Sequence, residues 1–179
     1  MPDASTRTAP ASLVRRAQAG EAQAVVDLVQ RCARAVRAIA LAHLGRIADA
    51  EDTTQTVLLV AIERLGSCRD PDRFEAWLFA IARNRARRAL IRRRLRDVIG
   101  IDGPDDAAPG EVDPDTRRAL IRALGALSTV QREVVLLHDL EGYTHAEIAG
   151  AIRISEEASR QHLSRARRTL RAQLAEEIP

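Results

Sequence analysis

THAEIAGAIRISEEASRQHLSRARR, residues 144–168, reads as two short helices around a sharp turn. Ile148, Ala149 and Ile152 make the inward side of the first helix, and Arg153-Ile154-Ser155 is the turn. The second helix starts at Glu156 and is anchored by Leu163, Ala166 and Leu170. It presents Arg160, Gln161, Ser164, Arg165, Arg167 and Arg168 outward. Thr144 followed by Glu147 fits a capping box, and Ser155 is a cap with two acids behind it. This is a helix-turn-helix pattern. A helix fits the DNA major groove, where Arg and Gln read base edges and further Arg hold phosphates. An ordinary helical hairpin with a basic exposed face shares the spacing, so the pattern alone leaves both open.

Upstream, helices are expected at about 116–126 and 129–140, the second opened by a Ser128/Gln131 capping box. Residues 97–115 change character: Gly100, Gly103, Pro104, Pro109, Gly110 and Pro114 stand among many Asp. They read as a flexible acidic linker, either simply solvated or folded back on a basic helix as a mimic of nucleic acid. Before the linker, apolar spacings of three and four predict helices at 11–17 and 21–44, broken at Gly20 and Gly45. A third helix starts at Asp49 and closes at Gly66. Asp70-Pro71 opens a long helix to about Arg96, with Phe74, Trp77, Leu78 and Ile81 on one face. Eight Arg between Arg83 and Arg96 cannot be a core and predict a cationic surface.

The composition agrees with an all-α chain of two small helical domains. Of 179 residues, 2% are aromatic, and the chain favours Ala, Leu and Arg. The net charge of +3 is uneven: residues 1–96 hold 18 Arg against 10 acids, and residues 97–118 hold 7 acids against 2 Arg. A clustered basic block is the footprint of a polyanion partner. The expected domains are a disordered tail at 1–10, a helical domain at 11–96, the linker at 97–115 and a second domain at 116–179. Cys32 and Cys68 match no metal spacing and read as buried thiols. No apolar run approaches a membrane span and the N-terminus lacks an apolar leader, so a cytoplasmic protein without membrane insertion is expected.

Residues 123–171, ALGALSTVQREVVLLHDLEGYTHAEIAGAIRISEEASRQHLSRARRTLR, resemble region four of the extracytoplasmic-function (ECF) sigma factors of bacterial RNA polymerase. ADAEDTTQTVLLVAIERL and FEAWLFAIARNRARRAL resemble their region two, and AQAGEAQAVVDLV their entry helix. The resemblance covers about residues 11–175. It implies a non-enzymatic factor that binds core RNA polymerase, through the clamp helices and the flap region, and directs it to promoters. Region two would take the minus-ten element and region four the minus-thirty-five element. The resemblance also implies an anti-sigma partner, a monomeric free chain, and no cofactor or metal.

Residue by residue, Asp52, Gln55, Thr56, Leu58 and Ile62 match the polymerase-binding helix. The loop Ser67–Arg73, with Arg69 and Arg73, and Asn84 match the part that holds a flipped minus-ten base. Such a base needs polar edge partners, which an amide supplies. Trp77 is a stacking platform or, by its register with Phe74 and Ile81, a core residue. Arg83, Arg87 and Arg88 would hold DNA backbone by charge. Arg160, Gln161, Ser164 and Arg165 match base-reading positions, with Arg167 and Arg168 on phosphates. The sequence departs from the family at Thr56, where an acid is usual, and at Leu58, where Phe is common. It departs again at Arg153, usually the turn glycine, at Ala158-Ser159, usually Thr-Val, and at His162, usually Arg. These changes bear on minus-thirty-five recognition rather than on the fold.

Thr53, Thr54 and Thr56 raise a further expectation, that a phosphate there restores negative charge on the polymerase-binding face. Three rival readings stand beside the sigma reading. A helix-turn-helix regulator acting without polymerase would not need the DAED-T-Q helix. An antagonist would occupy polymerase without reading DNA. An enzyme is disfavoured because His43, His138, His145 and His162 join no recognisable catalytic or phosphate-binding motif.

Overall fold

Glycine in the left-handed region ends helices cheaply, and Gly20 (φ 86°) and Gly45 (φ 70°) separate the first three helices at the expected places. In this computed structural model residues 9–99 and 114–177 are described. They form helices α1 (Ala11–Gln18), α2 (Ala22–Leu44), α3 (Ile47–Glu63) and α4 (Phe74–Ile99). After the acidic segment come α5 (Pro114–Gly125), α6 (Thr129–Val135), α7 (His145–Ile152) and α8 (Glu156–Glu177). No strand occurs among the described residues, in keeping with the all-α expectation. The linker expected at 97–115 and the tail at 1–10 lie largely outside them.

The capping signals read from the sequence are realised. Ser128 and Thr144 each accept from the backbone three residues on, and Gln131 and Glu147 reach back, completing both boxes. Ser155 Oγ accepts from Ala158 N–H at 3.0 Å. Several boundaries differ. Helix α3 starts at Ile47, with Asp49 inside its first turn. It ends at Glu63, ahead of a 3-10 turn over Leu65–Ser67, so Gly66 is not its cap. Asp70-Pro71 opens a second 3-10 turn, Pro71–Arg73, before the α-helix starts at Phe74. The expected helix 129–140 runs on from α6 as a π-helical turn over Leu136–Leu140, which closes at Gly142 (φ 73°).

The core is built around α2. Its Leu28, Cys32, Val36 and Ile39 are buried against α3 (Val57, Ala61) and α4 (Phe74, Leu78). With few aromatics, close helix approach replaces bulk: Ala35, Ala38, Ala42 and Ala82 are all buried. In the second region Val134, Leu137, Ile148, Leu163 and Ala166 form the interior of α6–α8. The two regions touch, and one apolar cluster runs through both. Phe79 of α4 is fully buried and its ring lies 6.1 Å from that of Tyr143. No described helix is long and apolar enough to cross a membrane.

Candidate nucleic-acid interface

Helix α8 exposes the residues that the sequence places on its outer face. Ser164, Arg165 and Arg168 are exposed, while Leu163 and Ala166 face inward. Arg160 is ion-paired along the helix with Glu156 and, at 3.7 Å, with Glu157. Gln161 donates to Glu157 Oε1 at 3.1 Å. Arg167 Nε donates to Asp139 Oδ2 at 3.0 Å, and this hydrogen bond holds the Asp139 carboxyl below its ordinary range. Three of the six candidate residues therefore already have carboxylate partners. DNA phosphates compete with those partners best at low salt.

The turn departs from the usual glycine and keeps the glycine's geometry. Arg153 caps α7 at φ 61°, ψ 51°, the one described non-glycine residue with positive φ. A side chain there crowds the following carbonyl, and the conformation costs about 1–2 kcal/mol. Glycine relieves that strain but is freer when unfolded. Arg153→Gly is therefore expected to raise unfolding stability by about 0.5–1 kcal/mol. A urea midpoint equal to or below the parent's would contradict the strain argument.

Within the first region the candidates separate. Arg69 and Arg73 are exposed in the loop before α4, and Arg73 pairs with Asp70 at 3.6 Å. Asn84, Arg87 and Arg88 are exposed at spacings of three and four, so they share a helix face. Trp77 is half-buried, its ring 5.7 Å from Phe74, as its helical register suggests. It still lines an open cleft with Arg73, Ala80 and, from α7, Glu147 and Gly150. Arg83 turns away from solvent. Its Nη2 donates to the Ala151 carbonyl at 3.4 Å, and Nη1 lies 3.9 Å from Glu133. The arginine run is thus not one surface. Arg93 also turns inward, donating to Leu44 O at 3.1 Å and Asp49 Oδ2 at 2.9 Å, and ties α4 to α2 and α3.

On α3, Asp52, Gln55, Thr56 and Ile62 are exposed and Leu58 is half-buried beneath them. Leu59, 63% exposed, extends the same face with an apolar side chain that the sequence reading passed over. Its position one turn beyond Gln55 was the available signal. Leu58 and Ile62 border an apolar groove closed by Val25 and Val29 of α2. Of the three threonines, Thr53 and Thr54 are buried, and Thr54 Oγ1 donates to Ala50 O at 2.6 Å. Thr56 is exposed, its hydroxyl donating to Asp52 O at 3.0 Å.

The remaining chemistry-bearing groups are structural. Cys32 and Cys68 are buried free thiols, and burial pushes Cys32 up to about 12. The described residues hold no cluster of metal-ligating groups. His138 and His145, on either side of the turn that joins α6 to α7, stack at 4.7 Å, and His145 hydrogen-bonds Ser159 at 2.9 Å. Ser159 is fully buried, which rules it out as an accessible nucleophile. Glu75 was not singled out by sequence. It accepts from Ala9 N–H at 3.1 Å and Tyr143 O–H at 3.4 Å, while its Oε2 is buried without a partner. Burial raises its carboxyl to about 7, and the two hydrogen bonds only partly oppose that.

Comparison with known proteins decides what these surfaces belong to. The Sigma-70 region 2 family profile covers residues 28–96, and that of Sigma-70, region 4 covers residues 117–170. The RNA polymerase sigma factor CarQ of Myxococcus xanthus is 35% identical over 167 residues, spanning 91% of this chain and 96% of its own. The chain belongs to the ECF sigma factors of RNA polymerase. A probable RNA polymerase sigma factor of Xanthomonas campestris, RfaY, is 36% identical over 169 residues, and this chain spans 42% of that longer protein. The sigma factor CnrH of Cupriavidus metallidurans is 31% identical over 90% of this chain and 92% of its own. A solved structure of CnrH with the cytosolic domain of CnrY matches this chain with a TM-score of 0.69 at 28% identity, covering 98% and 99% of the two chains. ECF sigma factors are non-catalytic and direct promoter recognition through regions two and four.

Proposed function

We propose that this ECF sigma factor binds core RNA polymerase through α3 and reads a promoter with two separate surfaces. The observation that carries the reading is that one chain presents both an exposed mixed polar and apolar strip on α3 and an exposed Arg/Gln/Ser face on α8. Asp52, Gln55, Thr56, Leu58 and Ile62, extended by Leu59, form the polymerase contact. Arg69, Arg73, Asn84, Arg87 and Arg88, with Trp77 at the edge of the cleft, take the minus-ten element; Arg83 joins them once it is released from Glu133. Arg160, Gln161, Ser164 and Arg165 read the minus-thirty-five element, and Arg167 and Arg168 hold its phosphates. Region two spans 11–96 and region four 116–179. An anti-sigma factor is the regulatory partner, by analogy with CnrH, whose structure includes the cytosolic domain of CnrY.

Run-off transcription with core polymerase on a promoter library tests this. Specific transcripts are expected only when the chain is added. Binding to duplex DNA without stimulation of polymerase would replace the reading with that of a polymerase-independent regulator. Within the same assay, Arg165→Ala is expected to lower transcription about tenfold to a hundredfold and relax one base preference. Arg168→Ala is expected to weaken all promoters alike and flatten the salt dependence by about one counterion. A uniform loss in Arg165→Ala would move that residue to the phosphate contacts.

A further inference from the structure

Helix α1 enters none of the surfaces described above, yet its last residue reaches the loop assigned to the minus-ten element. That loop, residues 65–73, has little to hold it. Ser67, Arg69, Asp70, Asp72 and Arg73 are exposed, and only Leu65 and Cys68 are buried. Its regular structure is two single 3-10 turns, Leu65–Ser67 and Pro71–Arg73. Its ion pairs, Arg73 with Asp70 at 3.6 Å and Arg15 of α1 with Asp72 at 3.8 Å, are solvent-exposed and contribute little. A segment with so few buried contacts opens locally at low cost.

Gln18 supplies a tie. Its Nε2 donates to Leu65 O at 3.1 Å and to Cys68 O at 2.8 Å, 47 and 50 positions further along the chain. Both protons of one amide nitrogen are therefore committed to backbone carbonyls. The two acceptors bracket the first 3-10 turn, where Cys68 N–H also donates to Leu65 O at 3.1 Å. Gln18 is half-buried, and Val14 and Ala17 on the same side of α1 are buried in the core of the first region. A helix fixed by that core thus sets the carbonyl of Cys68, the residue before Arg69. With both protons engaged, Gln18 has no donor left for DNA. Given the minus-ten assignment proposed above, on which this rests, we propose that Gln18 is a positioning residue for promoter recognition. By tying Leu65 and Cys68 to α1 it holds the loop, with Arg69 and Arg73, in the shape that receives the minus-ten base. A loop already ordered by folding loses less freedom when a base is captured, and a displacement of about 1 Å can cost about a hundredfold.

Run-off transcription by the full chain with core polymerase, on promoter pairs that differ at one base, tests this. Gln18→Leu removes both donors, and Gln18→Glu keeps the shape as an acceptor only. Each variant is expected to retain its helical circular dichroism and to lower discrimination at one minus-ten base about tenfold. Discrimination at minus-thirty-five bases should stay within about twofold of the parent, because the recognition helix α8 is untouched. A merely structural loss lowers output on every promoter by a common factor and leaves these ratios unchanged. On a template with an abasic nucleotide at the affected minus-ten position, the gap between parent and variants should close. Unchanged discrimination in a helical variant overturns the positioning role, as does a gap that persists on the abasic template. Loss of the helical signal in both variants would assign Gln18 to the fold instead. A parent chain that stimulates polymerase without preferring any minus-ten base overturns the minus-ten assignment itself. A parent that shows the preference, with variants that keep it, leaves the assignment standing and removes Gln18 from it.

Discussion

Phe79→Ala is expected to destabilise the chain by about 3–5 kcal/mol, the usual range for removing a fully buried phenylalanine. Phe79 has no exposed surface, and its ring stands 6.1 Å from Tyr143 at 57°. The substitution loses both the transfer of the ring from water and the packing around the hole it leaves. The hole opens where α4 meets the second region, so the loss falls on the contact between regions as well as on the interior of the first. Urea unfolding gives the total. Amide exchange in α7 should rise more than exchange in the middle of α2, because α7 is held by that contact. A loss under about 1 kcal/mol would mean the cavity collapses freely. Equal acceleration in α2 and α7 would mean the two regions unfold as one unit.

Glu75→Gln is expected to remove a pH dependence of stability. The Glu75 carboxyl rises from 4.5 to about 7, chiefly by burial, with further upward pressure from Glu147; the Ala9 N–H, the Tyr143 hydroxyl and Arg31 oppose the rise. Between those two pH values the folded chain keeps a proton that the unfolded chain has released, so stability falls as pH rises. The stabilisation is complete below about pH 4.5 and is lost as pH passes through about 7. Glutamine copies the neutral acid and keeps an oxygen for both donors. Glu75→Gln should therefore match the parent near pH 5 and exceed it by about 1–3 kcal/mol at pH 8. Urea midpoints at pH 5, 6, 7 and 8 measure this. Parallel curves for the two proteins would show that Glu75 does not titrate across that range.

Much of the local structure is legible in residue order because its causes are local. Ser128 with Gln131 and Thr144 with Glu147 form capping boxes through groups three residues apart. Gly20 and Gly45 end helices because they adopt a φ that other residues avoid. The outward face of α8 follows from helical period. Arg153 shows where such rules bend: the chain adopts the left-handed turn without a glycine, because the packed helices on both sides fix the path. The π-helical turn at Leu136–Leu140 carried no such mark in the residues.

The order of helices, their caps and the exposed faces of α3 and α8 were set by amino acids a few positions apart, within reach of hydrogen bonds and of helical period. The partners of Glu75, Arg83, Arg93, Glu133 and Glu141 were set by folding alone. Each reaches a group between 44 and 107 positions away in the chain, as with Arg93 on Asp49 and Arg34 on Glu141. Two arginines in one run, Arg83 and Arg88, look alike in sequence. One is committed to a buried carboxylate and the other is open to solvent because the second region packs on one side of α4 and leaves the other side uncovered.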